Sequence, residues 1–364
     1  MSDKLTLLVI FGGASSEHEV SCNSAASVLT NINKEKYDIK TVGITKKGVW
    51  LYTKATTDQI ASGEWESLED NKFAHIITDY SKRLRVDDIG DMNIDVVFPI
   101  LHGKNGEDGT MQGLLELAGI PFVGPDSTAS ASSMDKAITK AIIEQAGVCD
   151  QAECCIVHSG CDLDEISFVI EEHFEGEYPL FVKPANAGSS VGISKVKSRE
   201  MLPKALAVAF AEDKKVLVEK AIVGREIEVA VLGNYGASGE SAPRASLIGE
   251  IISANEFYDY TAKYNNVGSV TSVVKDLSPE LETAIRDTAV SIYEVMGCDG
   301  FSRVDFFLEA GESGGFEDGR LVFNEINTIP GFTKISMYPQ LWDATGIPYS
   351  ELIDRLIGLA LEKN

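Results

Sequence analysis

Two segments toward the C-terminal end of the chain alternate apolar and polar residues, the period expected of half-buried β-strands. They cover 301–306 and 323–327, and the residues between them, 309–319, are rich in Gly, Ser and Glu. A segment of that composition between two strands predicts a hairpin loop. The sequence therefore predicts an antiparallel strand pair in this region.

Polar side chains on the predicted hairpin fall two residues apart. Arg303 and Asp305 share one face of the first strand, and Glu325 and Asn327 share one face of the second, because successive side chains of a strand point to opposite sides. Pairing the strands brings carboxylate and amide oxygens beside one arginine. Such oxygens suit Mg²⁺, which proteins usually hold with one or two carboxylates plus substrate phosphates. The pattern indicates a metal–nucleotide site.

The beginning of the chain predicts a parallel α/β domain. An apolar run over 5–11 predicts a buried strand, and the spacing of Ser16 and Glu19 predicts a capping box at the start of the helix that follows. A second unit of this kind has its strand over 94–101 and its helix over 110–118. The functional loops of such a domain lie beyond the carboxyl ends of its strands.

Other elements follow from the same patterns. Residues 50–93 show no clear period and are expected to elaborate the first domain, and the prolines and glycine of 121–125 predict a boundary. Beyond it, helices are predicted over 134–146, 279–296 and 350–361, and strands over 178–183, 193–196, 216–220 and 225–232.

Charge and length narrow the function classes. The 364 residues include 32 basic and 56 acidic ones, for a net charge of −24. This balance argues against nucleic acid as a main partner, because phosphate contacts need a basic surface. The apolar run at the N-terminus is too short for a signal peptide or a membrane span, and no later segment reaches spanning length. We therefore expect a cytoplasmic protein with no membrane partner.

Four of the six cysteines lie between Cys149 and Cys161, with His158 among them. A structural zinc site is one interpretation of this cluster. The spacings lack a CxxC pair, however, and the adjacent Cys154 and Cys155 fit alternate positions of a strand better than a metal-binding turn. Reduced, partly buried thiols are the favoured interpretation.

A Gly/Ser-rich loop, 184–192, follows Lys183. Its spacing differs from that of a Walker-type phosphate loop. A loop of this kind between two strands can nevertheless fold its backbone N–H groups over phosphates, and Lys183 would add a point charge. Taken alone, such a segment is more often a flexible hairpin, so both interpretations stay open at this point.

The order of these features resembles the ATP-grasp superfamily. A lysine with a Gly/Ser loop comes first, followed by 219–222, by Arg303 with Asp305, and by Glu325 with Asn327. Within that superfamily, four stretches resemble the signatures of D-alanine–D-alanine ligases, and they are 12–21, 101–110, 134–136 and 324–332. The resemblance covers nearly the whole chain, and the motifs occur in the expected order.

The resemblance implies an α/β and α+β fold with a three-domain ATP-grasp architecture and an N-terminal parallel α/β domain. We expect the substrate-side domain over 1–123, the central ATP-grasp lobe over 124–220, and the C-terminal lobe with the metal site and a lid loop over 221–364. The implied activity, in peptidoglycan precursor synthesis, uses ATP to phosphorylate the carboxylate of one D-alanine. The amine of a second D-alanine then attacks the acylphosphate.

The resemblance also implies roles for single residues. Asp305, Glu325 and Asn327 would hold two Mg²⁺ or Mn²⁺, with Glu325 as the bridge. Arg303 would stabilise the acylphosphate and the later oxyanion, helped by the backbone N–H of Gly331; the alternative is a strand arginine that only pairs with Asp305. ATP would be bound at its phosphates by Lys136, Lys183 and Lys263, and at adenine and ribose by Glu219, Ala221, Ile222 and Glu226.

By the same resemblance, Glu17 would pair with the ammonium of the first D-alanine, in a network with Ser189 and Tyr264. Without it, Glu17 is an ordinary first-turn acid favoured by the helix dipole. Tyr264 ends an aromatic segment, 257–264. This segment would form a lid that excludes water from the site, and aromatic packing at the surface is the alternative.

The second substrate is the remaining question. The resemblance places its carboxylate at Ser336 and Met337, with His102 nearby, although a histidine at a strand end is often structural. Tyr264, Ser336 and Met337 resemble the type that uses D-alanine. Ligases that make D-alanyl-D-lactate or D-alanyl-D-serine remain alternatives, as do a ligase for another amino acid and a catalytically silent nucleotide-binding regulatory protein. The family also suggests a homodimer.

Overall fold

The computed structural model describes residues 4–188, 190–253 and 269–363. Within these ranges the strands form three β-sheets with helices packed on them. Every helix in the described part of the chain is too short or too polar to cross a membrane.

The first sheet contains seven strands near the N-terminus. They are β1 Leu5–Gly12, β2 Tyr37–Ile44, β3 Trp50–Tyr52, β4 Lys72–Ile77, β5 Arg83–Val86, β6 Gly90–Asn93 and β7 Val96–Ile100. The order is β6-β5-β4-β3-β2-β1-β7. β1 pairs in parallel with β2 and β7, whereas β3 to β6 extend the sheet antiparallel. The apolar run of β1 is buried because its strand has partners on both edges and is covered on both faces.

The second sheet has the order β11-β10-β12-β9 and is antiparallel. Its strands are β9 Cys154–His158, β10 Leu180–Pro184, β11 Ser194–Val196 and β12 Lys215–Lys220. The third sheet has the order β15-β14-β13-β16-β17-β8. Its strands are β8 Asp150–Gln151, β13 Arg225–Gly233, β14 Arg244–Ser253, β15 Ser269–Val273, β16 Gly300–Leu308 and β17 Leu321–Asn327.

The helices cover the sheets. In chain order they are α1 His18–Asn31, α2 Thr57–Ser62, α3 Thr110–Ala118, α4 Ser127–Met134, α5 Lys136–Ala146, α6 Leu163–His173, α7 Leu202–Glu212, α8 Pro279–Val295, α9 Met337–Ala344 and α10 Tyr349–Glu362. Short 3₁₀ turns occupy Glu64–Ser67, Arg199–Met201 and Gly239–Ser241.

The last two helices pack into the same core as the N-terminal sheet. Leu352, Leu356 and Ala360 of α10 are buried at four-residue spacing, which gives the helix one apolar face. This face belongs to the same core as Leu7 and Val9 of the first sheet. The C-terminal helix therefore belongs to the core that supports the N-terminal loops. The domain boundaries expected at 123 and 220 stay predictions.

Most predicted elements have counterparts. Helix α3 matches 110–118 and ends at Gly119, which adopts the left-handed backbone conformation that favours glycine. The strand pair predicted over 301–306 and 323–327 is present as β16 and β17. The structure also adds strands within 50–93 that sequence periodicity missed, because these strands have only three to six residues each.

Two local predictions are wrong. Helix α1 begins after Glu17, not at a capping box formed by Ser16 and Glu19, because Ser15 Oγ accepts the hydrogen bond from the Glu17 N–H at 3.1 Å. The helix predicted over 134–146 is interrupted at Asp135. The extended backbone of Asp135 lets its carboxylate accept hydrogen bonds from the first turn of α5 and cap that helix.

Candidate active site

A cleft of about 710 Å³ separates the second sheet from the third. One wall comes from β10 and β12 and the other from β13, β14 and the β16–β17 hairpin. Of the residues predicted to bind ATP, the described ones all line it, and they are Lys136, Lys183, Glu219, Ala221, Ile222 and Glu226. The fold therefore gathers side chains from distant parts of the sequence around one cavity.

The β16–β17 hairpin carries the predicted metal ligands at one end of this wall. Asp305 pairs with Glu325, and Arg303 pairs with Asn327, across the two strands. Arg303 donates to both oxygens of Asp305 at 2.7 Å, and the Asn327 side-chain amide donates to Asp305 at 3.0 Å. These four side chains thus lie together on one face, as their period-2 spacing predicted.

A β-bulge adds a residue to this face. The register shifts between Asp305 and Phe306 so that Asn324 of β17 has no partner on β16. As a result Phe323, Asn324 and Glu325 all line the cleft, although strict alternation would turn Asn324 away. Asn324 accepts a hydrogen bond from Lys183 at 3.4 Å. Sequence reasoning missed Asn324 because a bulge leaves no mark in the hydrophobic period.

Arg303 is buried between carboxylates. Its Nε lies 3.2 Å from Glu228 of β13, in addition to its contacts with Asp305. Burial alone would lower the pKa of Arg303, but Asp305 and Glu228 raise it well above its usual value. Within the described residues, the hydrogen bonds of Arg303 come from Nε and Nη2, and Nη1 donates none. Glu228 was not among the predicted site residues, although it alternates with Glu226 on β13.

Lys183 and Lys140 share the carboxylate of Glu219. Lys183 Nζ lies 2.6 Å from one oxygen and Lys140 Nζ lies 2.8 Å from the other. Burial would raise the pKa of Glu219, but the two ammonium groups outweigh it and lower the pKa to about 2. Burial likewise would lower the pKa of Lys183, and Glu219 raises it. Lys140 is a second site residue that sequence reasoning missed.

Lys136 projects from the first turn of α5 toward the metal end of the cleft. Its Nζ donates to the Ala187 carbonyl at 2.8 Å and lies 3.9 Å from Glu325. Asp135 fixes this geometry, because it caps α5 and also accepts from the Asn186 amide at 3.2 Å. The helix break at Asp135 thus positions Lys136.

Two loops at the carboxyl ends of β1 and β7 meet at the same end of the cleft. Ser15 Oγ donates to the His102 carbonyl at 2.9 Å. The buried Glu17 carboxylate lies against Gly103 and Gly188. A Cβ atom added to Gly103 would lie 2.4 Å from this carboxylate, and one added to Gly188 would lie 3.0 Å from it. The parallel pairing of β1 with β7 accounts for this meeting of the loops.

His102 is held by the protein on both sides of its ring. Nε2 lies 3.2 Å from Ser24 Oγ, and Nδ1 lies 3.1 Å from the Ile329 carbonyl. A carbonyl can only accept, so Nδ1 carries the proton in this arrangement. Burial lowers the pKa of His102 and favours the neutral ring.

Glu107 is half-buried beside this meeting point and accepts a hydrogen bond from the Gly103 N–H at 2.7 Å. Burial, and then the charge of Glu17, raise its pKa to about 8. It lines a small recess together with Lys136, Glu325 and Asn327. Glu107 lies within the 101–110 motif but was not among the predicted site residues.

Ser336 and Met337 begin helix α9. Ser336 Oγ accepts from the Thr333 N–H at 3.0 Å and lies 3.2 Å from the position of a Cβ atom added to Gly331. The Met337 side chain is buried in the core against Gly249. Of the two, therefore, only Ser336 presents its side chain beside Gly331. Three predicted residues, Ser189, Lys263 and Tyr264, lie outside the described residues.

The oxygen donors on the hairpin fit a hard divalent cation. Asp305 and Glu325 supply carboxylates on neighbouring strands, and Asn327 supplies an amide, the ligand types that Mg²⁺ accepts alongside phosphate oxygens. Among the described residues, no group of three or more His, Cys, Asp or Glu side chains is arranged as a metal site. A cation here would complete its shell with substrate oxygens. Of the cysteines in the zinc hypothesis, Cys149, Cys154 and Cys155 are half-buried thiols and Cys161 is exposed.

Comparison with known proteins decides the family. The model of the D-Ala–D-Ala ligase N-terminus matches residues 6–125, and that of the C-terminus matches residues 142–358. The chain belongs to the D-alanine–D-alanine ligase family. A D-alanine–D-alanine ligase of Acetivibrio thermocellus is 47% identical over 100% of this chain and 97% of its own length.

Solved structures of the ligase family agree with the fold. The VanG D-Ala:D-Ser ligase of Enterococcus faecalis has a TM-score of 0.85 and 38% identity, covering 98% of this chain and 100% of its own. The D-alanine–D-alanine ligase of Bacillus anthracis complexed with ATP has a TM-score of 0.69 and 28% identity, covering 99% and 98% of the two chains. The protein is accordingly an ADP-forming, ATP-dependent ligase with the ATP-grasp fold.

Proposed function

We propose that the protein joins two D-alanine molecules, with hydrolysis of ATP to ADP and phosphate, to supply D-alanyl-D-alanine for peptidoglycan precursors. The observation that carries this proposal is the hairpin face on which Arg303, Asp305, Glu325 and Asn327 lie together at the lysine-lined end of the cleft. A catalytically silent relative would not need to keep all four.

ATP lies along the cleft in this account. Its phosphates lie near Lys136, which is 3.9 Å from Glu325, and Lys183, which donates to Asn324 of the same hairpin. Its adenine lies among the apolar residues of the other end, with backbone contacts at Ala221 and Ile222. Glu219 and Glu226, which line the same cleft, would receive the adenine and the ribose.

Asp305, Glu325 and Asn327, which lie on one face of the hairpin, would hold the Mg²⁺ or Mn²⁺ ions. The family resemblance assigns the bridging role to Glu325. When bound, the ions would neutralise the charge on the phosphate oxygens during phosphoryl transfer. The protein's part is to fix the ligands, and the contacts of Asp305 with Arg303 and Asn327 do so.

In the first step, a carboxylate oxygen of D-alanine bonds to the γ-phosphorus of ATP while the bond from that phosphorus to ADP breaks. Glu17 would hold the ammonium of this D-alanine, since its carboxylate is buried at the meeting of the N-terminal loops and the glycine-rich loop. Two charges paired out of water orient the substrate strongly.

In the second step, the amine of the second D-alanine bonds to the acyl carbon and the bond from that carbon to the phosphate oxygen breaks. The proton lost by the amine passes to the departing phosphate or to water. Arg303 Nη1 and the backbone N–H of Gly331 would stabilise the oxyanion of the tetrahedral intermediate. Ser336 would bind the carboxylate of the second D-alanine, because its hydroxyl lies beside Gly331. Met337 supports this turn from the core, and His102 orients the 329–331 segment through the Ile329 carbonyl.

Ser189, Lys263 and Tyr264 keep the roles that the family resemblance gives them. Ser189 and Tyr264 would join the Glu17 network, and Lys263 would contact a phosphate from the lid loop. A lid of this kind limits hydrolysis of the acylphosphate by excluding water. A homodimer and a cytoplasmic location also remain part of this proposal.

The proposal is tested by assaying ADP formation with ATP, Mg²⁺ and D-alanine. We expect ADP and phosphate to form in proportion to D-alanyl-D-alanine, and we expect neither product when L-alanine replaces D-alanine. Removal of the divalent cation with a chelator should stop the reaction, and added Mg²⁺ should restore it. If ADP formation does not depend on D-alanine, the proposed activity is wrong.

A further inference from the structure

The loop between β16 and β17 contributes to the cleft wall. Within it, Ala310 and Phe316 line the cleft. Phe316 is half-buried, whereas the flanking residues 312–315 and Glu317 are exposed. An aromatic ring in an otherwise polar and glycine-rich loop thus faces the cavity.

The position of this loop along the hairpin indicates which part of a nucleotide it would meet. The face of the hairpin that carries the paired Asp305 and Glu325 continues along β16 with Phe307, which lines the cleft. Each strand residue advances the chain by about 3.3 Å, so Phe307 lies roughly 7 Å beyond Asp305 and the loop lies further still. A nucleotide with its phosphates at the charged end has its base at the aromatic end, beside Phe316.

Arg225 lies against the ring of Phe316. The guanidinium carbon lies 5.0 Å from the ring centroid. Arg225 donates to both oxygens of Glu250, at 2.8 and 2.6 Å, and to both oxygens of Asp276, at 3.1 and 3.0 Å. Two carboxylates compensate its charge, so Arg225 serves as a flat support for the ring and not as a phosphate ligand.

The loop is also tied to helix α8. Glu317, the neighbour of Phe316, accepts hydrogen bonds from the N–H and the hydroxyl of Ser278, at 3.2 and 2.7 Å. Ser278 in turn caps α8. The ring is therefore held in place before a nucleotide arrives, which reduces the entropy lost on binding.

We propose that Phe316 is a nucleotide-contact residue that packs against the adenine–ribose part of ATP and sets the affinity for the nucleotide. This inference rests on the proposed placement of ATP in the cleft. Contacts between aromatic rings favour offset or edge-on arrangements and contribute beyond the area they bury. The contact adds affinity without taking part in either chemical step.

Calorimetric titration with Mg·ADP and, separately, with inorganic tripolyphosphate tests the inference. Phe316→Ala should weaken Mg·ADP binding by about five- to tenfold and leave tripolyphosphate binding unchanged. Phe316→Tyr should restore nucleotide affinity. Glu312→Ala, an exposed position in the same loop, serves as the matched control and should bind like the wild type. Thermal unfolding of each variant confirms folding, and Phe316→Leu replaces Phe316→Ala if the alanine variant does not fold.

Three outcomes are decisive against the inference. Nucleotide affinity of Phe316→Ala, or of Phe316→Leu in its place, within about twofold of the wild type overturns it. An equal loss of affinity for Mg·ADP and for tripolyphosphate also overturns it, because that result indicates a general disturbance of the cleft. Wild-type protein that does not bind Mg·ADP overturns the proposed ATP site itself, and the inference with it.

Discussion

Lys183 and Glu219 form a buried ion pair on neighbouring strands, with 2.6 Å between Nζ and Oε2. Phe181 and Glu219 are paired residues of β10 and β12, so Lys183 lies two positions along on the same face. Lys140 binds the other carboxylate oxygen at 2.8 Å. The cleft thus holds a charged lysine in position before any phosphate binds.

Replacing Glu219 with glutamine should destabilise the fold. The variant leaves two buried ammonium groups without their carboxylate, and the free energy of unfolding should fall by about 2–4 kcal/mol in urea titrations. Glu351→Gln removes an exposed partner of Arg355 and should cost less than about 1 kcal/mol. Equal costs for the two variants would contradict the buried network.

The same carboxylate predicts an acid response. The folded-state pKa of Glu219 is lowered from 4.5 to about 2, so the folded protein binds this proton less readily than the unfolded chain. Its contribution to stability is complete above pH 4.5 and is lost as the pH falls toward 2. The difference in unfolding free energy between wild type and Glu219→Gln should therefore narrow as the pH falls from 4.5 toward 2. A difference that stays constant over this range would contradict the lowered pKa of Glu219.

Glu107 should make the folded protein less stable, not more stable, as the pH rises. Its folded-state pKa is raised from 4.5 to about 8, so the folded protein retains a proton that the unfolded chain releases. Wild-type stability should fall, relative to Glu107→Gln, as the pH rises from 4.5 to 8. Because the side chain is only half-buried, we expect a total of about 1–2 kcal/mol. Unfolding titrations of the nucleotide-free protein at several pH values measure the difference, and parallel curves would contradict the shift.

Glu325→Gln should impair the use of the divalent cation. Loss of one carboxylate weakens a Mg²⁺ site, so the Mg²⁺ concentration for half-maximal rate should rise about tenfold or more. Turnover should also fall at saturating Mg²⁺. Steady-state rates across a Mg²⁺ titration measure both effects. Glu309→Gln, which affects an exposed pair with Arg320 near the same hairpin, should behave like the wild type.

Arg303 can be tested with two substitutions. Arg303→Ala should lower turnover by about 10²–10³-fold, as expected when a donor to an oxyanion is removed. Arg303→Lys keeps the charge but cannot donate to both oxygens of Asp305 while also reaching the substrate, so most of the loss should remain. Circular dichroism confirms that both variants fold. Near-normal turnover of either folded variant would remove Arg303 from the mechanism.

The sequence predicted the parts of this site that depend on periodicity. Arg303, Asp305, Glu325 and Asn327 lie together because side chains two apart on a strand share a face, and this follows from the chain alone. The placement of Lys136 beside Glu325 did not follow, because it depends on the packing of α5 against the third sheet. Only the family resemblance connected these segments.

Other residues could not be found from the sequence. Asn324 reaches the cleft through a bulge, which changes the facing of one residue without changing the hydrophobic pattern. Lys140 is recognisable only once β12 places Glu219 beside helix α5. Ser16 and Glu19 have the spacing of a capping box, but the hydroxyl of Ser15 accepts the hydrogen bond from the Glu17 N–H instead. Spacing alone cannot show which of two neighbouring hydroxyls makes such a bond.

Product analysis under competition measures the ATP-dependent joining of two D-alanines and the choice of second substrate in one experiment. Purified protein would receive ATP and Mg²⁺ with equal concentrations of D-alanine, D-serine and D-lactate, and the products would be identified by mass spectrometry. We predict that D-alanyl-D-alanine is the main product and forms in step with ADP. A predominance of D-alanyl-D-serine or D-alanyl-D-lactate, or the absence of any condensed product, would contradict it.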